Sequence, residues 1–98
     1  MNELVKINYG TERPTVSGRD LHAALDIDTR YSDWFKHMCN YGFSEGTDFY
    51  SFLSKTSEGG RPATDHMLSI DMAKELCMIQ RTDIGRKFRQ YFIQVEEA

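Results

Sequence analysis

Between residues 31 and 41, Tyr31, Trp34, Phe35, Met38 and Tyr41 recur at i, i+3, i+4, i+7 and i+10. This is one face of a helix with 3.6 residues per turn, and it is almost wholly aromatic. A stripe of that width is stable only when the rest of the chain closes over it. A base-stacking platform would use the same residue types, but aromatics at helical spacing far more often build core, where their large buried areas dominate the energetics. Thr29 or Ser32 is the expected cap of this helix. Gly42 fits its left-handed stop, with Phe43 placed to pack back on it.

The 98 residues suit one domain, 1–98,. A domain of this size buries roughly 60–65 % of the surface its unfolded chain exposes, so one modest core must hold it. Apolar residues at 40 % and aromatics at 12 % supply that core and argue against disorder,. No apolar run approaches the ~18 residues of a membrane span, and Met1–Tyr9 lacks the pattern of a signal peptide. The expectation is a cytoplasmic protein.

Other elements follow from local chemistry. Leu4–Tyr9 alternates, with Val5, Ile7 and Tyr9 on one side, predicting a half-buried strand; Thr15–Val16 returns as a second short one,. Ser17 stands three residues before Asp20, the S-x-x-D capping box, and Val16 and Leu21 take the positions of a hydrophobic staple. A helix is therefore predicted over 18–25, burying Leu21, Ala24 and Leu25. Asp48–Leu53 and His66–Ile70 are rich in strand formers and predict a hairpin,. The polar stretch Ser54–Asp65 between them would project as a wing. Ser69 or Asp71 caps a third helix with the stripe Met72, Ala73, Leu76 and Ile79. Thr82 caps a fourth with Ile84, Phe88, Tyr91, Phe92 and Val95,. The expected fold is α+β: about four helices, a β-hairpin wing and a short N-terminal strand. The fourth helix runs to Ala98 without a stop residue, so an N-terminal piece of a longer protein is expected.

Catalytic and metal signatures are missing from the pattern. There is no G-x-S-x-G, P-loop, H-E-x-x-H or glycine-rich dinucleotide turn,. Cys39 and Cys77 form no C-x-x-C pair and are expected as buried, reduced thiols. His22, His37 and His66 share no ligand spacing; His37 and Cys39 would point about 200° apart on a helix. The expectation is a binding module that is not an enzyme and needs no metal, cofactor, small-molecule substrate or membrane.

The formal net charge of −3 argues against a protein coated in positive potential,. Its distribution is uneven. Residues 1–60 hold six basic and nine acidic side chains, whereas 61–98 hold six of each. Arg81, Arg86, Lys87 and Arg89 fall between residues 81 and 92 against only Asp83. Two candidate surfaces result. Arg86, Arg89, Gln90 and Ile93 lie within about 100° of one another on the last helix, opposite its apolar stripe. An apolar residue ringed by arginine has the composition of an interface centre, and this face is the candidate partner-binding site. The second candidate is a DNA-contacting set of Lys55, Gly60, Arg61, Arg81 and Lys87. In it Gly60-Arg61-Pro62 presents an arginine suited to a narrow A·T-rich minor groove.

Five blocks in register complete the pattern. They are Val16-Ser17-Gly18-Arg19-Asp20-Leu21-His22, Ser32-Asp33-Trp34, Tyr41-Gly42-Phe43 with Asp48-Phe49, Asp71-Met72-Ala73-Lys74-Glu75-Leu76, and Gly85-Arg86 followed by Tyr91-Phe92. In order and spacing these resemble the AntA/AntB phage antirepressor domain over about residues 14–97. The resemblance implies a phage or prophage regulator of transcription at the lysis–lysogeny switch. Such a protein would contact the phage repressor in the bacterial cytoplasm and relieve its control. The family is similar in organisation to the Bro-N and KilA-N modules, for which DNA binding is proposed. A DNA-binding module acting at phage operators is therefore the alternative expectation, with duplex DNA, the repressor and a second copy of the chain as the partners to weigh.

Overall fold

The structure, a computed structural model, describes residues 5–10, 13–54 and 63–97. Its elements in chain order are β1 (Ile7–Asn8), β2 (Thr15–Ser17), α1 (Gly18–Ala24), α2 (Tyr31–Cys39), β3 (Phe49–Ser54), β4 (Ala63–Ser69), α3 (Ile70–Gln80) and α4 (Asp83–Glu97). The class is α+β as expected. The strands form one antiparallel sheet in the order β1-β2-β4-β3. Its register sets Ile7 beside Val16, Val16 beside Leu68 and Leu68 beside Phe49. Since paired residues share a face and period two alternates them, this row turns into the core, where all four are buried. The opposite face carries the Tyr50–Met67 pair, with Tyr50 exposed.

Helix α1 begins as its residues dictate. The Ser17 hydroxyl accepts from the Asp20 backbone N–H at 3.2 Å, and Val16 and Leu21 are both fully buried. The Ser17 hydroxyl in turn donates to Asp65 at 2.6 Å. In α2, Tyr31, Trp34, Phe35 and Met38 are buried, Trp34 to 4 % exposure. Tyr41 is 58 % exposed, because α2 ends at Cys39 and the turn through Gly42, at φ +106°, takes Tyr41 out of phase. Phe43 does pack against the core. Neither Thr29 nor Ser32 caps α2. Arg30 stands at the N-cap without a side-chain capping bond and pairs with Asp33 at 3.2 Å, while the Thr29 carbonyl is taken by His22 Nε2 at 2.6 Å. An acid in the first turn serves the helix dipole in place of a hydroxyl cap.

Several expectations shift at element ends. β1 covers only Ile7–Asn8, so Tyr9 lies exposed beyond it. Ile70 is buried but opens α3, because Ser69 caps that helix through the Met72 backbone N–H at 3.1 Å. Ala63, Thr64 and Asp65, expected in the loop, are strand residues paired to Ser54, Leu53 and Phe52. Lys55, Gly60 and Arg61 lie outside the described residues. Thr82 caps α4 through the Gly85 N–H at 3.0 Å. Phe88, Tyr91, Phe92 and Val95 are buried, but Ile84, the second residue of the helix, is 40 % exposed. Cys77 is buried and Cys39 half-buried, both as free thiols; burial pushes the Cys77 thiol up to about 12 and also raises that of Cys39.

The two C-terminal helices are held closely together. A Cβ at Gly85 would come within 2.5 Å of the Cys77 carbonyl oxygen, so the approach of α4 to α3 requires glycine there,. Lys74 on α3 reaches Glu96 on α4 at 2.5 Å, and Tyr91 on α4 donates to the Val5 carbonyl at 3.1 Å.

Candidate interaction surface

Two polar assemblies stand out, and they differ in whether their groups are satisfied. The first bridges α1, α2 and β4. Asp65, 6 % exposed, accepts from Ser17 Oγ at 2.6 Å, the Arg19 N–H at 3.0 Å and the His66 N–H at 2.7 Å. Arg19 Nε donates to the Thr64 carbonyl at 2.8 Å, and its guanidinium lies 4.5 Å from the centre of the Tyr31 ring. Tyr31 Oη lies 2.6 Å from His66 Nδ1, and His66 stacks on Phe35 with ring centres 3.7 Å apart. Burial, reinforced by the Asp65 charge, raises the Tyr31 phenol above its ordinary value; burial also lowers His66, against the pull of Asp65. Both are therefore neutral near pH 7, and the hydrogen bond joins a neutral phenol to a neutral imidazole,.

Serine, histidine and aspartate in one cluster invite comparison with a catalytic triad. The connectivity is different. Ser17 is bound to the carboxylate and His66 to a phenol, so no imidazole is placed to take the Ser17 proton,. This network fastens α1 to β4 and leaves no activated nucleophile. Among the described residues, no three His, Cys, Asp or Glu side chains are grouped to hold a metal ion.

The second assembly lies along α3 and α4. A groove of about 410 Å³ is lined by Cys77, Met78, Arg81, Thr82, Arg86 and Arg89. Beside it runs a second, of about 400 Å³, whose lining includes Asp48, Asp71, Glu75, Met78, Arg89 and Ile93. Met78 and Arg89 belong to both. No carboxylate among the described residues forms an ion pair with Arg81, Arg86 or Arg89. Arg89 Nε is shut off from solvent without an acceptor, an uncompensated donor of the kind that costs stability. Met78 is 53 % exposed at the centre.

Arg81 marks this groove as well. It ends α3 in the left-handed conformation, φ 54° and ψ 38°. A C-terminal residue of that geometry is usually glycine or asparagine, and a larger L-residue pays roughly 1 kcal/mol there. Arginine at such a position costs stability and adds charge to the groove. Strain of this kind concentrates at functional sites.

Of the residues expected at the partner-binding face, Arg86 and Gln90 are exposed, whereas Arg89 and Ile93 are half-buried. Ile93 thus does not face outward alone; it leans into the groove shared with α3. Arg81, expected on DNA, lines the same groove as Arg86 and Arg89. Lys87 is exposed and lines neither groove. Sequence reasoning missed Met78 and Glu75. Met78 carried the same signal as Ile93, an apolar residue out of phase with its helix's buried stripe.

No helix among the described residues is long and apolar enough to cross a membrane. One family model matches the chain, that of the AntA/AntB antirepressor, over residues 16–82. No curated protein and no solved structure matches it.

Proposed function

The chain belongs to the AntA/AntB antirepressor family, and from that premise we propose that it relieves repression by protein–protein contact, with the α4 flank as the contact surface. Arg86, Arg89, Gln90 and Ile93 form its centre, and the repressor is the partner. The single observation that carries this reading is the set of arginines without carboxylate partners, Arg81, Arg86 and Arg89, around the exposed Met78, with the half-buried Ile93 beside Arg89. Carboxylates of a protein partner would complete them as charge-assisted hydrogen bonds, while the apolar centre excludes water. The chain's net charge of −3 favours a protein over a polyphosphate,. The proposed place of action is the cytoplasm of the bacterial host, where the repressor holds its operator.

A DNA reading rests on the convergence of Arg81 and Arg86 on one groove, with Lys55, Gly60, Arg61 and Lys87 as further contacts. It makes a distinct prediction. Binding to duplex would be weak, about 10⁻⁴–10⁻⁶ M, and would fall steeply with salt. The two readings separate in one titration series, with the purified chain added to bare operator duplex and to operator already bound by repressor. Release of repressor without binding to bare duplex supports protein contact. Salt-dependent binding to bare duplex supports the alternative.

A further inference from the structure

We propose that a second copy of the chain occupies the α3–α4 groove in the free protein, so that self-association and the repressor compete for one surface. This rests on the reading above, and concerns how that same surface is regulated.

The groove is polarised along its length. One end is basic, with Arg81 and Arg86; the other is acidic, with Asp48, Asp71 and Glu75; Arg89 borders both. Lys74, at the acidic end, pairs with Asp71 at 3.4 Å and Glu96 at 2.5 Å. Glu75 has no ion pair among the described residues. Met78 lies between the two ends, exposed, with Ile93 beside it. A surface with opposite charges at its ends and an apolar centre is its own complement under a twofold axis. Isologous interfaces place each patch against the same patch turned by 180°. With the axis at Met78, Arg81 and Arg86 of each copy meet Glu75 and Asp71 of the other, and the methionines meet at the centre. A duplex presents phosphates along its whole length and would meet the acidic end with repulsion. A uniformly acidic peptide would do the same. The second copy satisfies both ends.

The test uses charge reversal on the whole chain, read by sedimentation velocity at low salt. Arg86→Glu makes the groove predominantly acidic and Glu75→Arg makes it predominantly basic. Each change reverses two symmetry-related contacts, so each variant alone should self-associate about tenfold more weakly than the unmodified chain. Mixed one to one, the two variants should associate again, because every reversed charge then meets its opposite. Self-association of the unmodified chain should weaken as salt rises, which gives a readout even if a variant fails to fold. Adding the repressor should replace the dimer with a mixed complex. A chain that stays monomeric at every concentration overturns the proposal, and so does a dimer indifferent to both reversals. A monomer that still releases repressor from operator overturns this proposal alone and leaves the antirepressor reading standing.

Discussion

The β4 side of the molecule and the α3–α4 side carry polar groups of similar kind and put them to opposite use. At β4, both Asp65 oxygens are engaged, Arg19 is spent on a carbonyl and a ring, and His66 and Tyr31 satisfy each other. At the α3–α4 groove, three arginines line the surface without carboxylates, one with a buried orphan Nε, and Met78 stands exposed. A satisfied network spends its hydrogen-bonding capacity on holding elements together. An unsatisfied surface costs stability in the free chain and keeps that capacity for a partner. The contrast sets a structural network apart from the surface proposed for recognition, and substitutions in each should separate accordingly.

The largest expected effect is in the core both regions share. Trp34→Ala should cost about 3–5 kcal/mol, measured by urea denaturation. Trp34 Nε1 has no acceptor, so the loss is one of packing. Next comes Asp65→Ala, which strands the Ser17 hydroxyl and two backbone N–H groups. With roughly 1–3 kcal/mol per buried group left unpaired, discounted for partial access to water, about 3 kcal/mol is expected. A melting temperature unchanged by Asp65→Ala would erase the distinction between the two regions.

The same network predicts a stability window in pH. The folded state holds His66 below its ordinary value of 6.5, so the unfolded chain binds the proton first and stability falls as pH drops below about 6.5,. Tyr31 is raised from its ordinary 10.0, so the unfolded chain loses that proton first and stability falls as pH rises above about 10,. Tyr31→Phe should reduce the alkaline part of the loss, leaving the part due to the buried Cys77 and Cys39 thiols, and His66→Gln should reduce the acid part,. Denaturation midpoints across pH read both.

Smaller effects are expected in the groove, one of them of opposite sign. Arg81→Gly relieves a left-handed arginine and should stabilise the chain by up to about 1 kcal/mol while weakening partner binding. Ile93 is half-buried, so Ile93→Asp should cost about 1 kcal/mol, near the mean for a substitution, far less than Asp65→Ala. Arg86→Glu, at an exposed position, should change stability by no more than about 0.5 kcal/mol. A groove variant as destabilising as Asp65→Ala would make this surface structural too.

What the sequence disclosed divides along the same physical line. Helix stripes are local: Trp34, Leu76 and Phe92 are placed by spacing of three and four, and Ser17, Ser69 and Thr82 by capping chemistry within three residues. The β2–β4 pairing joins residues some 50 positions apart, and no local pattern encodes it. Asp65 was hidden for that reason, assigned to a loop although its partners Ser17 and Arg19 lie 48 and 46 residues away. Its one signal was an aspartate beside strand formers, a residue depleted in strands unless something holds it. The basic flank of α4 was legible from phase alone. That Arg81 and Met78 join it was not, because their convergence depends on how closely Gly85 lets α4 approach α3.

The central claim is that the α4 flank removes repressor from DNA by contacting the repressor itself. Its most direct measurement is fluorescence anisotropy of labelled operator duplex carrying bound repressor, titrated with the unmodified chain, Arg86→Glu and Ile93→Asp, each beside a thermal melt. The account predicts that the unmodified chain returns the anisotropy to that of free duplex, while both variants, still folded, leave the repressor bound. Equal release by folded Ile93→Asp and Arg86→Glu, or an anisotropy that rises as the chain itself binds the duplex, would contradict it.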